Sequence, residues 1–277
     1  MPELPEVETV ARDLRRAGLE GRRIVKVSVG WPKSAVVIPS GDFARALAGA
    51  TIRRIWRRAK YLVFDLADGR TLLVHLRMTG RFDLARDFRR RNAHEHVVLL
   101  LDNGISVHFE DPRKFGRWKL TAAPGRYLDA LGPEPLDPAF TAAAFAKRLR
   151  PHRRRIKPLL LDQSVVAGVG NIYADEALWA AGIHPARGAA TLSRAEVGRL
   201  YRAVRQVLRR GIKNQGTSLG MASTNFYSTG GRRGRNQDAL RVFRRADEPC
   251  PRCGTTIQRL VVAQRGTHIC PHCQPEL

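Results

Sequence analysis

Leu131-Gly132-Pro133-Glu134-Pro135-Leu136-Asp137-Pro138 divides the chain into two styles of sequence. Three prolines in six residues remove backbone donors and bias their neighbours away from helix, so the stretch reads as a linker. On its N-terminal side the apolar residues fall in short, β-branched runs. On its C-terminal side they recur at helical spacing.

Upstream, residues 5–18 are the exception. Val7, Val10, Ala11 and Leu14 form a helical apolar stripe, and Gly18 supplies a stop. Strands are expected at 24–29, 51–55, 61–66, 71–76, 97–101 and 106–109. Asp68-Gly69 and Asn103-Gly104 provide hairpin turns between them, because these residues tolerate positive φ. Downstream, helices are expected at 140–149, 156–161, 171–181 and 194–210, the last capped by Ser193 with Glu196 as its capping-box partner. Residues 214–240 are rich in Gly, Ser, Asn and Arg and lack periodicity, as in a functional loop. The expected class is α+β: an N-terminal antiparallel β-sandwich with a leading helix, then a helical domain, then a cysteine module. The expected limits are 1–130, a linker region at 131–150, a helical domain with its loop at 151–240, and the module at 241–277.

The 277 residues carry a formal charge of +24. Basic clusters at Arg57-Arg58-Ala59-Lys60, Arg89-Arg90-Arg91 and Arg153-Arg154-Arg155 spread that excess along the chain. A polyanionic partner follows, nucleic acid before anionic membrane; an arginine-rich composition that only aids solubility is the alternative. No apolar run approaches the roughly 18 residues of a membrane span. The start lacks the basic and apolar regions of a signal peptide. A soluble, cytoplasmic protein is expected, and a monomer.

All four cysteines lie in the last 28 residues. Cys250-Pro-Arg-Cys253 and Cys270-Pro-His-Cys273 are two C-x2-C knuckles separated by sixteen residues. Across a hairpin they make a tetrahedral site of four sulfurs that suits Zn²⁺. Four protein ligands leave no open position, so the ion is structural. His268 and His272 read as surface or supporting histidines. Arg259 and Arg265 fall between the knuckles, on the expected hairpin.

Met1-Pro2-Glu3 has chemical potential. Aminopeptidases remove Met1 before a small residue, leaving Pro2 with a secondary amine. A reference pKa of roughly 7.7–8.0 leaves part of it neutral near pH 7. Such an amine forms an iminium ion directly, and Glu3 places a carboxyl group beside it. On these residues alone an ordinary start, with Glu3 and Glu6 favouring a helix N-terminus, remains the simpler reading.

The whole chain resembles the formamidopyrimidine-DNA glycosylase family of bacterial enzymes. Met1-Pro2-Glu3-Leu4-Pro5-Glu6-Val7-Glu8-Thr9 resembles the family's start, and Arg57-Arg58-Ala59-Lys60-Tyr61-Leu62 its lysine segment. His75-Leu76-Arg77-Met78-Thr79-Gly80 and Asp111-Pro112-Arg113-Lys114-Phe115-Gly116 resemble its two DNA-probing loops. Gly168-Val169-Gly170-Asn171-Ile172-Tyr173-Ala174 resembles its helix-two-turns-helix motif. Ala180-Ala181-Gly182-Ile183-His184-Pro185 and the zinc finger then follow in order.

The resemblance implies a β-sandwich and a helical domain with DNA in the cleft between. It implies a DNA glycosylase/lyase that removes oxidised purines, 8-oxoguanine and formamidopyrimidines, from duplex DNA. Pro2 is implied as nucleophile, Glu3 as acid/base, Lys60 as proton donor in β-elimination and Arg265 in the later step. Met78, Arg113 and Phe115 are implied to fill the hole left by the everted base. Without the family, Met78 and Phe115 would read as core residues at strand ends. His94 and Arg113 match the family's DNA contacts, while Asn171, in a Gly-rich turn before a helix, can help backbone N–H groups there hold a phosphate. Lys157 is a further candidate for phosphate, and Lys60 could also bind phosphate. Glu6 and Glu176 match acidic positions near the family's site.

The chain departs from the family at Gln215-Gly216-Thr217-Ser218-Leu219 and through 220–237, the lesion-capping region. It also departs at Arg77, where glycine is usual, and at Val242-Phe243-Arg244-Arg245. An endonuclease VIII-type enzyme for oxidised pyrimidines lacks a close match to 111–116. A damage-binding protein without activity has no need of Pro2, Glu3 and Lys60 together. A zinc-finger regulator would need a recognition helix.

Overall fold

The computed structural model describes residues 1–219 and 226–276, in two compact units. One comprises 1–129 with 214–237, the other 130–213 with 238–277. Residues 220–225, part of the expected capping loop, lie outside the described residues.

The first unit opens with α1 (Leu4–Arg16), which has Pro5 in its first turn. The Glu6 carboxylate accepts the N–H of Glu3 at 2.9 Å, half of a capping box. Leu4, Val7, Val10, Ala11 and Leu14 are fully buried along one face. There follow β1 (Ile24–Val29), β2 (Ala35–Ile38), α2 (Phe43–Leu47), β3 (Ile52–Arg58), β4 (Tyr61–Leu66) and β5 (Thr71–His75). Then come β6 (Arg81–Ala85), β7 (Glu95–Leu101), β8 (Ser106–Glu110), β9 (Arg117–Thr121) and α3 (Gly125–Leu128).

The strands form two sheets, β1-β7-β8-β6 and β2-β9-β5-β4-β3. The first is antiparallel throughout. In the second, β2 joins β9 in parallel, Ala35 opposite Trp118, while β9, β5, β4 and β3 pair antiparallel as expected of the sandwich. β2, β6 and β9 all escape the sequence reading. Each has only four or five residues, and charged Arg81, Asp83, Arg117 and Lys119 interrupt two of them, so the alternation is too brief to register. Apolar residues from both sheets and from α1 share one core. At its centre Phe82, Phe109 and Trp118 lie with ring centroids 5.3–5.6 Å apart. Aromatic pairs of this kind each add roughly 0.5–1.5 kcal/mol beyond area burial.

The second unit contains α4 (Ala142–Leu149), α5 (Ile156–Leu161), α6 (Asn171–Ala181), α7 (Arg194–Lys213), β10 (Gln258–Val262) and β11 (Arg265–Ile269). Local chemistry marks the helix ends. Thr141 caps α4, Gly182 ends α6 at φ 67°, and the Ser193–Glu196 capping box opens α7. α6 and α7 approach closely at Gly211, where a Cβ would stand 2.5 Å from the Tyr173 hydroxyl.

The chain is partitioned differently from the sequence expectation. Residues 131–138 do not hang free. Gly132 N–H donates to Gln163 O at 2.8 Å, and Arg205 donates to the carbonyls of Pro135 and Asp137 at 2.6 and 3.0 Å. Prolines lack donors but keep acceptors, and a guanidinium collects them. The cysteine module belongs to the same unit as the helices. Residues 214–219 and 226–237 leave the helical unit and pack on the first one, where Phe226 joins the core and Arg232 pairs with Asp13 at 2.7 Å.

Candidate active site and nucleic-acid interface

In the first unit the start of α1 is rigidly placed. Pro2 is buried, and Glu3 and Glu6 are 2% and 1% exposed, while Met1 is half exposed. Besides the N–H of Glu3, the Glu6 carboxylate accepts the N–H of Thr217 at 2.8 Å, so one carboxylate joins the N-terminus to the returning segment. The matched position Glu6 therefore organises the site.

Lys60 sits in the β3–β4 turn. Arg58 pairs with Tyr61, leaving Ala59 at φ 52° and Lys60 as the loop. Lys60 is nonetheless only 5% exposed, because α1 packs against β3 and β4. Arg57 links these elements: its Nε lies 3.3 Å from Glu8 of α1, and its Nη1 donates to Ala59 O at 3.1 Å. Next to this turn, His75 accepts the N–H of Arg77 on Nδ1 at 3.0 Å. Burial first, then the positive charges of Arg77 and Lys60, push His75 down to about 3. It is a neutral acceptor throughout the physiological range.

The expected probing residues come together. Met78 and Phe115 are 41% and 44% exposed, among the few large apolar side chains so presented. Arg113 lies 4.8 Å from the Phe115 ring centroid, and its Nη1 approaches Met78 Sδ at 3.3 Å. His94 is exposed nearby in sequence and fold, its carbonyl accepting the N–H of Asp111 at 2.9 Å.

The second unit holds the other candidates. Asn171 stands at the start of α6 and donates through Nδ2 to Gly266 O at 3.0 Å. A concave surface beside it is lined by Phe243, Arg244, Arg259 and His268. Arg265 is exposed at the start of β11. Lys157 requires a correction. It is fully buried, with Nζ 2.6 Å from Asp175 Oδ1, and it donates to Gly266 O and Thr267 Oγ1 at 3.1 and 2.7 Å. A phosphate does not reach an ammonium enclosed in this way, so Lys157 fastens the hairpin to α5 and α6. His268 supports the same knot, its N–H donating to Asp175 Oδ2 at 3.0 Å. Glu176 accepts the N–H groups of Arg241, Val242 and Phe243 at 2.9–3.1 Å and pairs with Arg210, which makes it a cap for the finger entry.

The four cysteine sulfurs lie within 4.8 Å of one another. Contacts of 3.9, 3.4 and 3.5 Å bracket the edge of about 3.8 Å that a tetrahedron with Zn–S near 2.3 Å requires. Hydrogen bonds from Thr255 bring Cys253 down to about 6, while burial and the neighbouring cysteines push Cys273 up to about 12. Four adjacent thiols resist ionising together, and a divalent cation resolves that conflict. The site fits one structural zinc ion held by Cys250, Cys253, Cys270 and Cys273.

Sequence reasoning missed Asp13, Asp175 and Thr267. Each is a lone polar residue whose significance depends on a distant partner, and no local pattern signals it.

A β-sandwich unit presenting exposed Met78 and Phe115 beside Arg113, with a helical unit bearing a four-cysteine finger, fits a nucleic-acid-processing protein. Residues 1–118 match the profile described as Formamidopyrimidine-DNA glycosylase N-terminal domain, and residues 131–223 the Formamidopyrimidine-DNA glycosylase H2TH domain. Residues 247–275 match the Zinc finger found in FPG and IleRS. A formamidopyrimidine-DNA glycosylase of Herpetosiphon aurantiacus is 50% identical over 277 residues, covering 99% of this chain and 100% of the relative. A Lactococcus lactis FPG mutant in complex with Fapy-dG containing DNA has a TM-score of 0.90 at 37% identity, over 99% of this chain and 100% of that one. The Lactococcus lactis Fpg with abasic-site DNA has a TM-score of 0.88 at 37% identity, with the same coverage. The chain belongs to the formamidopyrimidine-DNA glycosylase family. It is thereby a DNA glycosylase/AP lyase of base excision repair.

Among the described residues no helix is long and apolar enough to cross a membrane.

Proposed function

We propose that the protein everts an oxidised purine from duplex DNA, excises it, and cleaves the strand by β,δ-elimination through an iminium link to Pro2. The observation that carries this reading is the fixed, buried placement of Pro2 and Glu3 beneath a half-exposed Met1.

Eversion costs a few kcal/mol in lost stacking. Met78 and Phe115 enter the vacated space, and the Arg113 guanidinium hydrogen-bonds the orphaned base. With Met1 removed, the Pro2 nitrogen attacks C1′, the glycosidic bond breaks, and the base leaves with its electron pair. Glu3 delivers a proton to the ring oxygen as the sugar opens, giving the iminium. Loss of a C2′ proton then expels the 3′ phosphate, with Lys60 as proton donor, and a second elimination assisted by Arg265 expels the 5′ phosphate. His94 and Asn171 are proposed to contact the DNA. The exposed arginines supply general attraction, so binding weakens with salt. The protein acts as a monomer, with units corresponding to the sandwich and the helical domain.

Borohydride tests this reading. Incubation with duplex DNA carrying 8-oxoguanine opposite cytosine, followed by reduction, is expected to cross-link the N-terminal peptide. The cross-link is lost when Met1 is retained. Tight binding with no cross-link on oxidised purines would overturn it, and trapping on oxidised pyrimidines alone would favour the endonuclease VIII-type reading.

A further inference from the structure

Asp111 is 1% exposed and lies beneath three exposed segments of the first unit. Its Oδ1 accepts the hydroxyl of Thr79, itself 3% exposed, and its Oδ2 accepts the N–H of Gly116 at 2.6 Å. Its backbone is equally committed. The N–H donates to His94 O at 2.9 Å, and the carbonyl accepts Lys114 N–H at 3.1 Å and pairs with His96 Nε2 at 2.9 Å. One residue thus touches the segments that carry Met78, His94, Arg113 and Phe115.

The two probing loops also rest on one floor. A Cβ at Gly80 would stand 2.7 Å from Phe109 Cζ, and one at Gly116 would stand 2.6 Å from the same atom. Phe109 is fully buried in the core and cannot yield. Each loop contains a residue in the left-handed region, Arg77 at φ 54° and Lys114 at φ 58°. Backbone in that region is retained only where surrounding bonds hold it.

We propose that Asp111, with Thr79, is the positioning residue that sets the register between the loop carrying Met78 and the loop carrying Arg113 and Phe115. This rests on the glycosylase reading above. A wedge assembled from two loops fills a base-sized gap only if the loops keep a fixed separation. Misplacement by about 1 Å is enough to cost some hundredfold in rate. The carboxylate crosses from one loop to the other, so it fixes that separation directly.

The hydrogen-bond chemistry makes a specific demand. An asparagine at 111 can still accept Gly116 N–H on its oxygen. Its amide then donates to Thr79, whose hydroxyl turns to accept. That rescue is impossible once Thr79 loses its oxygen.

The test is a double-mutant cycle in the full chain, read by single-turnover excision of 8-oxoguanine, cleavage of a ready-made abasic site, and thermal midpoint. Asp111→Asn alone is expected to slow excision by less than about threefold and Thr79→Val by about fivefold, with the pair together slower by about a hundredfold, far beyond the product. Thr79→Ser should match the wild type. Abasic-site cleavage still needs the gap filled and the orphaned base held but has no base to evict, so in the pair it should fall at least about tenfold less than excision does. Additive losses, or excision and abasic cleavage falling in step with the midpoint, would overturn the proposal by reducing the pair to a fold element. A wild type that cuts neither substrate would sink the glycosylase reading, and this inference with it.

Discussion

Phe82, Phe109 and Trp118 meet at the centre of the first unit, whereas the second unit's hairpin is held by the buried Lys157–Asp175 pair and by the four cysteines that flank its strands. The first unit presents its wedge from a floor of apolar packing, with polar pins such as Asp111 added above. The second presents its finger from a knot of charge and thiolate. Apolar packing is non-directional and spread over many contacts. An ion pair or metal centre concentrates the same task in a few bonds, which makes it sensitive to the loss of one partner. The two units should therefore fail under different insults.

Zinc removal should separate them most sharply. Structural zinc contributes about 10–16 kcal/mol in small finger domains. A chelator is expected to abolish duplex binding and to unfold the finger, with the near-ultraviolet signal of the first unit's tryptophans retained. Binding that survives complete removal of the metal, measured by gel shift, would break the comparison.

Lys157→Met comes next. It strands Asp175 in the interior at a cost of about 3–5 kcal/mol. Adding Asp175→Leu should recover most of that loss in urea unfolding. No recovery would mean that the hydrogen bonds to Gly266 and Thr267, rather than charge pairing, hold the knot.

Acid should act on the first unit through His75. An unfolded histidine takes up a proton near pH 6.5, whereas folded His75 waits until about 3. Between those values the unfolded chain binds one more proton, so stability rises with pH there. The contribution is complete above about 6.5 and is lost as the pH falls toward 3. At pH 5 the loss amounts to about 2 kcal/mol, at 1.36 kcal/mol per unit of pH below 6.5. His75→Gln should flatten that slope in denaturant titrations between pH 4 and 7, and an unchanged slope would transfer the effect to another group.

The smallest effect sharpens the contrast. Arg70–Asp68 is a 2.5 Å surface pair in the β4–β5 turn, with both side chains about a third exposed. Arg70→Ala should cost less than about 1 kcal/mol in urea unfolding, because water already solvates both charges. A larger loss would show that surface charge stabilises the first unit after all.

Much of this architecture is legible in the sequence. The bounds of α5 and α6 can be read there because their signals are local: an Arg-rich approach, a glycine turn before Asn171, and Gly182 as a left-handed cap. The four-cysteine centre is legible because ligand spacing along the chain is the chemistry itself. Lys157 misleads because basic clusters look alike whether they meet phosphate or a buried aspartate. The return of 214–219 and 226–237 to the first unit leaves no periodic trace, since it depends on single contacts from Thr217, Phe226 and Arg232.

Short-range chemistry, then, decided the helix ends, most strands and the metal ligands, because each depends on residues within a turn or a hairpin of one another. Only the tertiary structure decided which carboxylate answers which donor. Glu6 meets Thr217 across 211 positions, Asp175 meets His268 across 93, and Asp111 meets Thr79 across 32. A buried polar group must find a partner wherever the fold brings one, and sequence distance places no limit on that search.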